Sequence, residues 1–64
     1  MNPKMTLRQR EEELRSLLAT PSGRGELQQL EARYLAASGR VRPAKASLIT
    51  YLLVHERERG LISL

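Results

Sequence analysis

The chain has 64 residues, 41% of them hydrophobic, with eleven lysines and arginines against seven glutamates and a formal net charge of +4. That length bounds it to one domain, spanning 1–64, that buries only about 60% of the surface its unfolded form exposes, and the absence of cysteine excludes disulfide bonds as reinforcement. No apolar run approaches the roughly 18 residues of a membrane span and residues 1–5 lack the apolar block of a secretory signal, so a cytoplasmic location without membrane contact is expected.

Leucine occupies twelve positions, while isoleucine and valine have two each and phenylalanine and tryptophan are absent. Leucine favours helix, and the scarcity of β-branched and aromatic residues disfavours a sheet. The expectation is an all-α, three-helix domain in an up-down-up bundle, with helices near 6–19, 21–38 and 44–59 and with 1–5 and 61–64 as tails.

Thr6 and Gln9 have the spacing of a capping box, and Leu7, Leu14, Leu17 and Leu18 then share one face of a first helix. Its other face carries Glu11 with Arg15 and Arg8 with Glu12, each pair one turn apart. Glu11, Glu12 and Glu13 point about 100° apart in a helix and cannot converge on a metal, so they form a solvated face. Thr20-Pro21 ends this helix and starts the next, whose stripe is Leu27, Leu30, Tyr34 and Ala37 and whose end is marked by Gly39. "TPSGRGE" reads as a cap, because it lacks the lysine and spacing of a nucleotide-binding loop. Pro43 is expected to open the third helix, with Gly60 as its stop. Leu48, Ile49, Leu52 and Leu53 form its main stripe, while Ser47, Thr50, Tyr51 and Val54 make a second face that needs cover of its own.

No catalytic constellation is present in this pattern. Aspartate and cysteine are absent, and His55 has no acid at a spacing that would orient it against a serine. One histidine without cysteines does not make a structural zinc site. A non-catalytic protein without metal, cofactor or small-molecule substrate is expected.

The order helix, "ASGRVRP", helix resembles a helix-turn-helix, and "VHERERGLISL" resembles the recognition helix of a winged-helix domain running into its wing strand, which would imply DNA contact. The turn is longer than the usual three or four residues and the reading helix carries leucines in its middle, so no family is assigned.

"SGRVRPAKAS", residues 38–47, holds three cations and no acid. In an up-down-up bundle the start of the first helix shares an end with this second loop, which would gather Lys4, Arg8, Arg40, Arg42 and Lys45 at one pole. At the other pole Arg24, Arg57 and Arg59 would be diluted by Glu26, Glu56 and Glu58. Arginine suits phosphate because its planar fork donates in pairs. Two non-catalytic functions fit. One is a module that binds nucleic acid or another polyanion through the basic pole, with little reading of base sequence. The alternative is protein–protein interaction or homodimer formation through Tyr51, Val54, Leu61, Ile62 and Leu64.

Overall fold

In the computed structural model, which describes residues 4–63, Thr6 starts the first helix with both bonds of its capping box. Its hydroxyl accepts the Gln9 N–H at 3.1 Å and its own N–H donates to Gln9 Oε1 at 3.0 Å. Three helices follow in order: α1 (Leu7–Leu18), α2 (Pro21–Ser38) and α3 (Leu48–Glu58). The protein is a small all-α, three-helix domain.

The α1–α2 connection is tight. Thr20 caps α2 by accepting the Gly23 N–H at 3.0 Å, and Pro21 occupies the first turn, where its missing N–H costs no hydrogen bond. Gly23 is buried against the end of α1, and a β-carbon there would collide with the Leu17 carbonyl. Glycine at this position serves helix approach. At the far end of α2, Gly39 takes the left-handed conformation at φ 72° and donates its N–H to the Leu35 carbonyl at 2.7 Å.

Pro43 does not open α3. Residues 43–46 form a separate turn, closed by the Ala46 N–H on the Pro43 carbonyl at 3.0 Å, and Ser47 is the cap, accepting the Thr50 N–H at 3.1 Å. An α3 that began at 44 would need the Ala46 carbonyl for the Thr50 N–H. That carbonyl instead accepts from Arg42 Nη1 at 2.9 Å.

The direction of α3 also differs from an up-down-up order. Arg42 Nε bonds Glu31 Oε2 at 2.7 Å, so the chain after Gly39 doubles back beside α2 before α3 begins. From there α3 runs toward the end of α2, placing His55 and Glu56 against Tyr34 and Arg59 near the Ala37 carbonyl. Its last turn therefore meets the end of α2 and the start of α1. A long connection that retraces its path permits this, where a tight loop would have forced the opposite sense.

Leu14, Leu27, Tyr34, Ile49 and Leu52 form the core, with Leu17, Leu30, Leu48, Tyr51 and Leu53 packed around it. Residues 61–63 are not a loose tail. Leu61 N–H donates to the Glu56 carbonyl at 2.9 Å, and Ser63 pairs in parallel with Thr6, its N–H on the Met5 carbonyl and its carbonyl on the Leu7 N–H. Between them Ile62 is only 6% exposed. Among the described residues no helix is long and apolar enough to cross a membrane.

Candidate nucleic-acid interface

The end where α1 starts and α2 and α3 finish is organised by one buried carboxylate. Glu56 is 2% exposed and accepts from Arg10 Nε and Nη2 at 2.7 and 2.9 Å and from the Tyr34 hydroxyl at 2.7 Å. Arg10 also pairs with Glu13. The hydrogen bond to Glu56 raises the Arg10 pKa against the opposing effect of burial. Burial, and then the bond to the Glu56 carboxylate, push the Tyr34 hydroxyl up to about 12. Tyr34 also stacks on His55, with ring centroids 4.0 Å apart and 10° between planes.

This cluster corrects the expectation that Glu56 dilutes surface charge. Its signal was present in the spacing. Glu56 follows Ile49 and Leu52 on the buried stripe of α3, Arg10 lies between Leu7 and Leu14, and Tyr34 is two turns past Leu27. A charged residue at a stripe position belongs to the interior, where it must be paired.

The five cations expected at one pole divide. Arg42 is held inside its loop by Glu31 and the Ala46 carbonyl, a half-buried structural role. Lys45 is exposed in the turn drawn back along α2. Lys4, Arg8 and Arg40 remain at the predicted end: the Lys4 ammonium lies beside Gly60, Arg8 touches Glu12 only at 4.0 Å, and Arg40 meets Glu58 at 3.3 Å. Reversal of α3 brings Arg57 and Arg59 to join them, with Arg57 beside Leu7. These five exposed cations have Glu12 and Glu58 among them, and the Arg10 cluster with Glu13 and Glu56 adds one negative charge beneath. Arg24 lies near the start of α2, and Arg33 shares a cleft with Arg10 and Glu13.

Beside this end runs a groove of about 520 Å³ between the 39–46 segment and α3. Val41, Pro43, Tyr51 and Val54 line it, while Arg40, His55, Glu58 and Arg59 form its polar part. The Tyr51 hydroxyl donates to the Arg40 carbonyl at 2.9 Å and fixes one wall. Val41 is 76% exposed and Val54 38%.

The expected partner patch is likewise divided. Tyr51 and Val54 lie on the groove, Leu61 is 55% exposed, and Ile62 is in the interior and available to no partner. Leu64 lies outside the described residues. Among the described residues no three His or Glu side chains come together to hold a metal ion.

No family model, curated protein or solved structure matches the chain.

Proposed function

We propose that the protein is a non-catalytic, cytoplasmic binding module that holds the phosphate backbone of nucleic acid, or a similar polyanion, on Lys4, Arg8, Arg40, Arg57 and Arg59. The gathering of five exposed cations at one end of so small a molecule carries this proposal. Lysine and arginine that neutralise phosphates release the counterions condensed on them, so such a surface binds with strong salt dependence and without base specificity. Arg8, Arg40, Arg57 and Arg59 are exposed, which leaves most of their donors free for a ligand.

The test is a salt titration of binding to a nucleic acid of mixed sequence. If all five cations meet phosphates, log K against log salt has a slope of about −4.5 on a duplex, from about −0.9 per contact, and about −3.5 on a single strand, from about −0.7 per contact. Arg57→Ala with Arg59→Ala should flatten it by about two units, while Lys45→Ala leaves it unchanged. Equal losses from Lys45→Ala would assign binding to net charge alone. No binding at low salt overturns the proposal.

Exposure of Val41, Val54 and Leu61 favours a second reading, in which an apolar surface is covered by another copy of the chain. Its test is mass by sedimentation. A dimer that Val54→Glu dissociates supports it, and a concentration-independent monomer removes it.

A further inference from the structure

The chain has few rings that can stack: two tyrosines and one histidine, with no phenylalanine or tryptophan. Two of the three line the groove and the third lies beneath it. Tyr51 and His55 line it, and Tyr34 lies against His55 from within. A sequence so poor in aromatics gathers every one of them beside the end that carries the five exposed cations.

We propose that the groove receives an unpaired base, so that the polyanion bound is single-stranded nucleic acid and not duplex. This rests on the phosphate-binding reading above and adds what selects the strand. The groove volume of about 520 Å³ falls within the range of sites that take small organic ligands. Its lining suits a base: apolar Val41, Pro43 and Val54 together with Tyr51 and His55. Arg40 and Arg59 belong both to the groove and to the cationic end, so a base seated between the 39–46 segment and α3 brings its flanking phosphates to these two cations, where a phosphate takes the place of Glu58 on Arg40. Stacking on such rings tolerates any base, because every base has a π-face. A duplex keeps its bases paired and stacked inside and can offer the groove nothing but backbone.

The experiment compares a labelled dT oligonucleotide of about 12 nucleotides, its duplex of equal length and inorganic polyphosphate, at one salt concentration, by anisotropy and by methyl NMR. The single strand should bind about tenfold more tightly than the duplex, the difference that stacking of one base supplies. It should shift the Val41 and Val54 methyls, which polyphosphate should leave in place. Val54→Lys adds a cation to the groove, so charge alone would strengthen single-strand binding. Occupation by a base instead predicts that the strand preference falls toward unity while duplex binding is kept or improved. Equal affinity for the three ligands, with unmoved valine methyls, overturns the base site and leaves the cationic end standing. Absence of binding to all three overturns both. Valine shifts that follow protein concentration in the absence of nucleic acid overturn it in favour of a second copy in the groove.

Discussion

Glu56 accepts three hydrogen bonds in a core built from only a few leucines, so its neighbours depend on its charge. Removing one partner of a buried ion pair strands the other. Arg10 keeps Glu13 and partial access to water, so Glu56→Ala should cost about 3 kcal/mol, at the low end for buried pairs. In a domain this small that is much of the total stability, and urea denaturation followed by circular dichroism should show most of the helix signal lost at low denaturant. Tyr34 adds a pH dependence. Its hydroxyl titrates near 12 in the fold, against about 10 when unfolded. The neutral phenol therefore contributes stability that is fully present below pH about 10 and lost as pH rises through about 12. Alkaline unfolding should be steeper for the parent than for Tyr34→Phe, which lacks the titrating group. Tyr34 was read on its stripe, whereas Arg10 and Glu56 stand at stripe positions that their charge disguised as surface. Their mutual contact was not legible, because it depends on which helices face one another and in which direction.

At the scale of elements, local chemistry could be read wherever it acted alone. The Thr6 box, the Thr20-Pro21 boundary and the left-handed Gly39 need only residues within a few positions of one another. The start of α3 did not yield to the same reasoning, since Pro43 and Ser47 are both good openers and the choice is made by Arg42, which reaches back to Glu31. Ser47→Ala should therefore cost about 1 kcal/mol by removing the cap, whereas Pro43→Ala should stay within about 0.5 kcal/mol. Thermal melts of the two variants decide between them. The reverse order would restore Pro43 as the first residue of α3.

Across the whole molecule, the all-α class followed from composition, but the direction of the third helix did not. Its reversal takes Arg42 and Lys45 away from the end where α1 starts and brings Arg57 and Arg59 to it. The clasp of Thr6 and Leu7 with Ser63 has a kinetic meaning. It closes a loop that spans nearly the whole described chain, so it carries a greater chain-closure cost than any contact between neighbouring helices. A pairing of that kind forms late in folding and opens first in the native state. Amide exchange should accordingly be faster at Leu7 and Ser63 than at Leu52 in the centre of the core. Lys4 stands on one side of the clasp and Arg57 and Arg59 precede the other, so a bound polyanion that spans them bridges the seam. Exchange at Leu7 and Ser63 should slow when the ligand is present, which makes the chain's weakest seam a direct reporter of occupancy.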